Sequence, residues 1–140
     1  MAIALDSNVV IGFLDRGDAL HEASDVRVRQ LLDGGENLVA STITYAEVLT
    51  GARLGHHDED VVRGFFRELI SEVMPIELEA AERAAELRGD TPALKMPDAL
   101  ILAGADVHPD VERIVCADEL AARVGGMLLN CDVERLTDGA

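Results

Sequence analysis

The stretch that decides the fold is residues 2–8, Ala-Ile-Ala-Leu-Asp-Ser-Asn. Its first four residues are all apolar, which is typical of a central strand that is buried on both faces of a parallel sheet. The Asp-Ser-Asn that follows is typical of residues that cap the start of a helix. A strand over residues 2–5 and a short helix over residues 8–14 predict the first unit of an alternating α/β fold.

The alternation continues along the chain without a linker or an internal repeat. Further helices are predicted over residues 18 or 19–32, 44–54, 58–71, 77–87, 98–105 and 118–124. Further strands are predicted over residues 38–40, 73–76, 113–116 and 127–129. This order predicts an α/β fold, with a parallel sheet covered by helices on both faces. We expect one domain over residues 1–130 and a polar C-terminal tail over residues 131–140, frayed at its end.

Length and composition bound the class of protein. The chain has 140 residues, of which 49% are hydrophobic, and 12 Lys and Arg stand against 27 Asp and Glu, for a net charge of −15. This length suits one domain, and the apolar content is too high for a disordered chain. No apolar run is long enough for a membrane span, and the apolar start meets Asp6 too early for a signal peptide. We therefore expect a cytoplasmic protein that does not associate with membranes.

The negative charge argues against an ordinary nucleic-acid binder, because such proteins carry a basic face that displaces counterions from phosphate. Lys95 is the single lysine, and the chain has only three Phe and one Tyr with which to stack bases. Acid excess with almost no lysine fits adaptation to a high-salt cytoplasm, and equally an acidic protein from a GC-rich genome. Cys116 and Cys131 lack metal-site spacing, so we expect them to be reduced.

Four acidic residues lie where no solvent-exposed face is predicted: Asp6, Glu47, Asp98 and Asp118. Asp6 and Asp118 directly follow predicted strands, whereas Glu47 and Asp98 lie in apolar helical stretches. Each Asp could simply cap a helix, but Glu47 is in mid-helix and has no capping role. Functional sites in parallel α/β sheets form at the carboxyl ends of the strands, where these four side chains could meet.

Such a cluster predicts a site for Mg²⁺ or Mn²⁺, because these hard cations prefer carboxylate oxygens and no His or Cys joins the four acids. Without a cation the four carboxylates would repel one another, and the pKa of at least one carboxyl group would rise. Sites of this kind bind phosphates and activate water for in-line displacement. Two cations near the acids in sequence, Arg53 and Lys95, are candidates for charge balance or for contact with substrate phosphate.

Short motifs surround the four acids: Asp6-Ser7-Asn8, Thr44-x-x-Glu47, Pro97-Asp98-Ala99-Leu100-Ile101 and Cys116-Ala117-Asp118. In this order and spacing they resemble the motifs of the PIN-domain ribonucleases, in particular the VapC-type toxins of VapBC toxin–antitoxin pairs. The resemblance extends from about residue 3 to residue 129. It implies a PIN-like three-layer sandwich, with a five-stranded parallel sheet and helices on both faces.

The resemblance also implies an endoribonuclease, the toxin of a type II toxin–antitoxin system, which hydrolyses RNA phosphodiesters by metal-activated water. Its acidic quartet would be catalytic and would hold Mg²⁺ or Mn²⁺. Asn8 matches the polar residue that supports the first Asp, and Thr44 matches the one that often precedes the Glu. Cys116 departs from the family, which usually has Thr or Ser there, and a thiol is a weaker hydrogen-bond donor to support Asp118.

The implied partners are an RNA substrate, a cognate antitoxin protein and a second copy of the chain in a homodimer. The apolar stripe around Phe65 and Phe66 is core by default. It could also serve the dimer interface, or form part of a groove for an antitoxin helix.

Two other functions fit a domain of this size. A PIN-like module that binds partners without catalysis would share the fold, although the intact set of acids argues against it. A phosphoacceptor receiver domain also places acids near Mg²⁺ on a parallel sheet. It would need an acceptor Asp at the end of the third strand, where this chain has Ile76, and a late Lys, which it lacks.

Overall fold

The computed structural model describes residues 1–138 and places a strand directly before the first helix, as predicted. The strands in this range are β1 (Ala2–Leu5), β2 (Asn37–Ser41), β3 (Glu72–Met74), β4 (Val111–Cys116) and β5 (Asp132–Arg135). The helices are α1 (Ser7–Leu14), α2 (His21–Asp33), α3 (Thr42–Arg53), α4 (Glu59–Glu68), α5 (Leu78–Asp90), α6 (Met96–Val107) and α7 (Glu119–Leu128). No helix within residues 1–138 is both long and apolar enough to cross a membrane. The expected fraying at Gly139 and Ala140 lies outside the described residues.

The strands form one parallel sheet in the order β3-β2-β1-β4-β5, so β1 is central. Successive side chains of a strand point to opposite faces of the sheet. Accordingly Ala2 and Ala4 pack with α5, α6 and α7, whereas Ile3 and Leu5 pack with α1, α2 and α4. Helices therefore cover both faces, which confirms the predicted α/β three-layer sandwich and its five-stranded parallel sheet.

Three strands lead almost directly into helices at the carboxyl edge of the sheet. Asp6 caps α1 immediately after β1, and Ser41 ends β2 and caps α3. Asp118 caps α7 two residues beyond the end of β4. Because the strands are parallel, the amino ends of these three helices lie along one edge, and this edge is where polar side chains meet.

The apolar stripe of α4 belongs to the core, which confirms the default interpretation. Val62, Phe65 and Phe66 are buried. The ring of Phe66 packs edge-on against Tyr45 of α3, with 4.7 Å between the ring centroids. Val61, on the same helix, is 51% exposed and does not belong to the buried cluster.

The predicted last strand at residues 127–129 is wrong. Residues 127 and 128 are the last of α7, and the fifth strand is β5, within the stretch that was expected to be a polar tail. Glycine is disfavoured inside helices, yet α7 continues through both Gly125 and Gly126. A Cβ added to Gly125 would lie 3.0 Å from Cγ2 of Val133, so a glycine there allows α7 to pack closely against β5.

β5 is a polar edge strand that is held by ion pairs rather than by a buried apolar run. Oε2 of Glu134 lies 2.7 Å from Nε of Arg27 on α2, and its Oε1 lies 3.1 Å from Nη1 of Arg113 on β4. The hydrogen bond from Arg27, together with both positive charges, holds the pKa of Glu134 below its ordinary value. A strand held in this way shows no hydrophobic alternation, which is why the sequence pattern misses it.

We expect the substitution Glu134→Gln to lower the free energy of unfolding by about 1–2 kcal/mol at pH 7, since it removes the charge that pairs with two arginines in a partly buried site. Because the native pKa of Glu134 is lowered, the stabilisation is lost as the pH falls through that pKa, and the two proteins converge in acid. Urea denaturation at several pH values measures this difference.

Glu112→Gln is the matched control, because Glu112 is an exposed acid on the neighbouring strand β4. It removes the same charge from a protein of net charge −15 without breaking an ion pair of the described residues. Equal stability of the two variants at pH 7 would contradict the role assigned to Glu134.

Candidate active site

A cavity of about 90 Å³ lies at the carboxyl edge of the central strands. Three of the four predicted acids line it, namely Asp6, Glu47 and Asp98. Asp118 lies beside it and lines a neighbouring groove of about 580 Å³. Asn8, which is exposed, borders both spaces. Acids that are far apart in the chain therefore gather at one edge of the sheet.

Asp6 is the most buried of the four acids, with 7% of its surface exposed. Its Oδ1 accepts a hydrogen bond from the backbone N–H of Val9 at 2.9 Å, and its Oδ2 accepts one from Ala117 at 3.2 Å. The side chain thus caps α1 and also lines the cavity, so the capping role confirmed here is compatible with the predicted site role. Burial raises the pKa of Asp6 to about 6 in spite of the two hydrogen bonds, and the charges of Asp98 and Asp118 raise it further.

Glu47 projects from α3 and is held by a neighbouring hydroxyl. Ser7 Oγ donates a hydrogen bond to Glu47 Oε1 at 2.5 Å. Ser7 Oγ also lies 3.3 Å from Oγ1 of the buried Thr44, whose backbone N–H donates to Ser41 Oγ at 3.1 Å. A row of hydroxyl groups therefore connects the start of α3 to the start of α1 and orients Glu47.

Ser7 is a site residue that sequence reasoning missed, although it stands inside the Asp-Ser-Asn motif. A signal was available, because a hydroxyl residue directly after a strand-ending Asp must lie at the carboxyl edge of the sheet. Thr44 was assigned a supporting role, and it touches Ser7 rather than Glu47 itself.

Asp98 lies in the first turn of α6, three residues after Lys95, which is the N-cap residue of that helix. Within residues 1–138 its carboxylate neither accepts a hydrogen bond nor takes part in an ion pair, so its oxygens are available for a ligand. Partial burial raises the pKa of Asp98, and the charges of Asp118 and Glu47 raise it further, while Lys95 opposes them.

Asp118 is supported by its own helix, because its Oδ2 accepts the backbone N–H of Ala121 at 2.8 Å. Cys116 lines the main cavity and is buried. Burial, followed by the charges of Asp6 and Asp118, raises the pKa of the Cys116 thiol to about 12, so the thiol stays protonated at neutral pH. The Asp118 carboxylate therefore has a hydrogen bond that is independent of the residue at position 116.

The remaining sequence candidates occupy different surroundings. The hydrogen bonds that hold Asp6 come from the backbone, and Asn8 contributes to the walls of the two spaces. Arg53 forms an ion pair with Glu59 of α4, with 2.5 Å between Nε and Oε1, and it lines neither space. Lys95 is exposed and close enough to Asp98 to lower its pKa.

The negative charge of the site is not neutralised by the described part of the protein, since none of the ion pairs found there includes one of the four acids. An all-oxygen donor set of this kind suits a hard divalent cation. Within residues 1–138, no three His, Cys, Asp or Glu side chains are already grouped to hold a metal ion. Coordination would therefore require side-chain rotation, for which the half-buried Asp98, whose carboxylate accepts no hydrogen bond from the described residues, has room.

The raised pKa of Asp6 predicts a pH-dependent penalty in the metal-free protein. Its rise from 3.8 to about 6 means that native Asp6 holds its proton more tightly than unfolded Asp6, so stability is lost as the pH rises through about 6. We expect the free energy of unfolding of Asp6→Asn, minus that of the wild type, to increase by roughly 2–3 kcal/mol between pH 4 and pH 7. Urea denaturation in the presence of a chelator measures it.

Asp110→Asn is the matched control, because Asp110 is exposed and precedes β4 at the opposite edge of the sheet. Its difference from the wild type should change little over the same pH range. A similarly flat difference for Asp6→Asn would contradict the electrostatic description of the site.

The fold is similar to those of proteins from toxin–antitoxin pairs. It matches a chain of VapBC2 from Rickettsia felis bound to a DNA fragment from its promoter, with a TM-score of 0.74 and 15% identity, covering 98% of this chain and 100% of that chain. It matches Mycobacterium tuberculosis VapC20, a sarcin-ricin loop cleaving toxin, with a TM-score of 0.67 and 18% identity, covering 89% and 95%. It matches a toxin–antitoxin complex from Klebsiella pneumoniae with a TM-score of 0.63 and 28% identity, covering 84% and 87%.

The sequence itself matches a family model over most of its length. None of the curated proteins matches the chain. The model of the PIN domain, however, matches residues 3–126, a range that includes all four acids, most of β1 and all of β2, β3 and β4. The chain therefore belongs to the PIN domain family.

Proposed function

We propose that the protein is a Mg²⁺- or Mn²⁺-dependent endoribonuclease, the toxin component of a type II toxin–antitoxin system. The observation that carries this proposal is the group of acids without cationic partners around one cavity, at the carboxyl edge of a PIN-domain sheet. The cleavage of a sarcin-ricin loop by the similar VapC20 supports RNA as the substrate class.

In this proposal Asp6, Glu47 and Asp98 hold the divalent ion, with Asp118 contributing from the adjacent groove. A bound ion of this type supplies Lewis-acid stabilisation of the phosphodiester and lowers the pKa of an attacking water. Ser7 keeps the Glu47 carboxylate in place through its short hydrogen bond. Because the pKa of metal-free Asp6 is about 6, the full negative charge of the site develops only above that pH. The pH therefore controls how readily the site accepts a cation.

The proposed partners follow from the similar structures and from the surface of this chain. Toxin–antitoxin complexes among the similar structures support a cognate antitoxin protein. Leu54 and Val61 are apolar side chains that are 67% and 51% exposed, and we propose that they contribute to a homodimer interface. Of the two cations singled out in the sequence, Lys95 lies close to the acids and is assigned to substrate phosphate. Arg53 already pairs with Glu59 and is assigned to charge balance.

The proposed compartment is the cytoplasm. Cys116 and Cys131 are free thiols, as expected for a protein that stays in a reducing environment. A toxin that cleaves cellular RNA must also meet its substrate and its antitoxin there.

The strand order separates the two alternative functions, a receiver domain and a PIN-like module without catalysis. A receiver domain of the flavodoxin type has the strand order 2-1-3-4-5, whereas this sheet has the order β3-β2-β1-β4-β5, so that alternative is discarded. A PIN-like module without catalysis shares the fold. It differs in its chemistry, because a site that has lost its function need not bind Mn²⁺ or cleave RNA.

We expect the purified, antitoxin-free protein to cleave RNA with Mg²⁺ or Mn²⁺ and to stop when a chelator is added. Asp98→Asn should lower kcat/KM by roughly 100-fold or more, because losing one charged ligand removes several kcal/mol of transition-state stabilisation. Asp110→Asn, which removes an acid at the opposite edge of the sheet, should keep wild-type activity. Gel analysis of RNA cleavage over time compares the rates of the wild type, Asp98→Asn and Asp110→Asn.

A Mn²⁺ titration by calorimetry separates the remaining possibilities. Tight binding that weakens in Asp98→Asn, together with cleavage, supports the nuclease. A folded wild type that binds Mn²⁺ but cleaves no RNA would favour a binding module. One that neither binds the ion nor cleaves would reject the metal site altogether.

A further inference from the structure

The groove of about 580 Å³ beside the acidic cavity contains a cation that the proposed function has not used. The groove and the cavity share Asn8 as a wall, and Asp118 lines the groove. Among the described residues that line either space, Arg135 is the single lysine or arginine. The other charged residues of the groove are acids: Asp18, Asp118, Glu119 and Asp138.

The parallel pairing of β5 with β4 explains why Arg135 lies beside the site. Arg135 is the last residue of β5 and pairs in register with Cys116, the last residue of β4. The next residue, Leu136, donates its backbone N–H to the carbonyl of Cys116 at 2.8 Å. The register therefore brings Arg135 to the same carboxyl edge of the sheet as Asp6 and Asp118.

Arg135 is available for a ligand. It is exposed, and it forms no ion pair with any residue of the described range, in contrast to Arg27, Arg53 and Arg113. Arg135 is close enough to the acidic cavity to lower the pKa of the buried Cys116 thiol, which the nearby acids raise. A guanidinium group in this position can give two parallel hydrogen bonds to one phosphate.

An acidic groove with a single cation constrains how an RNA strand could lie. Phosphates that follow the groove would meet its carboxylates, so prolonged contact with the backbone is unfavourable at a net charge of −15. A strand whose scissile phosphate lies in the acidic cavity can cross Asn8 and Asp118 and place one neighbouring phosphate against Arg135. Such a contact would fix the position of the RNA strand with a single positively charged side chain.

We propose that Arg135 binds an RNA phosphate adjacent to the scissile one and so positions the substrate across Asn8 and Asp118. This inference rests on the proposed nuclease function and adds a substrate-contact residue to it. Arg135 takes no part in holding the ion. Its loss should therefore weaken substrate binding more than it slows the chemical step.

The test compares wild type, Arg135→Ala, Arg135→Lys and Arg67→Ala in steady-state cleavage of a fluorescein-labelled single-stranded RNA of mixed sequence. Arg67→Ala is the control, because Arg67 is an exposed arginine near the end of α4, shortly before β3 begins at the opposite edge of the sheet. We expect Arg135→Ala to raise KM by about tenfold with kcat within about threefold, as for the loss of one charged hydrogen-bonded contact. Arg135→Lys should be intermediate and Arg67→Ala unchanged.

RNA binding to Asp98→Asn, with and without Arg135→Ala, tests the same contact without cleavage. Fluorescence anisotropy over a salt series should show the slope of log Kd against log salt fall by about 0.7 on loss of Arg135, the value for one phosphate of a single strand. The inference fails if KM and the salt slope are both unchanged. It also fails if Arg135→Ala tightens Mn²⁺ binding without raising KM, because Arg135 would then serve only as a counter-charge to the acids.

This experiment separates the inference from the proposed function. If the wild type binds RNA without cleaving it, and Arg135→Ala weakens that binding, the contact stands and the nuclease proposal fails. If the wild type cleaves RNA and Arg135→Ala behaves like Arg67→Ala, the nuclease proposal stands and the Arg135 contact is overturned. If the wild type neither binds nor cleaves RNA, both are overturned.

Discussion

Both oxygens of the Asp6 carboxylate accept backbone hydrogen bonds, one from Val9 in α1 and one from Ala117 beyond β4. This one side chain thereby joins the central strand, the first helix and the end of the neighbouring strand. These contacts bury a carboxyl group close to Asp98 and Asp118, which disfavours its charged form. The two backbone hydrogen bonds do not offset this effect, so the pKa of Asp6 rises to about 6. The contact that organises the carboxyl edge also concentrates negative charge there.

Two agents can relieve this charge, a proton or a cation. The described part of the chain supplies no ion pair to the four acids, and Lys95 acts on Asp98 from an exposed position. The rest of the site shapes the cluster without neutralising it, because the Ser7 hydroxyl orients Glu47 and the first turn of α7 holds Asp118. A divalent cation is therefore the ligand that we propose for this edge of the sheet at neutral pH.

The fold and the site differ in how far the sequence could predict them. The apolar run of β1 predicts the fold class, because burial is visible in a residue pattern. Acids that follow buried strands or lie in apolar helical stretches predict which side chains gather at one edge of the sheet, and three of the four line one cavity. β5 was misplaced because it has no run of buried apolar residues, and the ion pairs of Glu134 with two arginines leave no apolar pattern in the sequence. Ser7 was missed although its position directly after a strand-ending Asp was visible in the sequence. Arg135 was missed because its position beside the site depends on the pairing of β5 with β4, which only the structure shows.

Burial raises the pKa of Asp6, the charges of Asp98 and Asp118 raise it further, and we propose that a bound divalent ion offsets both effects. The most direct measurement is an NMR titration of the Asp6 side-chain carboxyl, in a chelator and then in Mg²⁺. We expect a titration midpoint of about pH 6 without the ion and a clear downward shift with it. A midpoint near that of an ordinary Asp in the chelator, or one that Mg²⁺ leaves unchanged, would contradict this proposal.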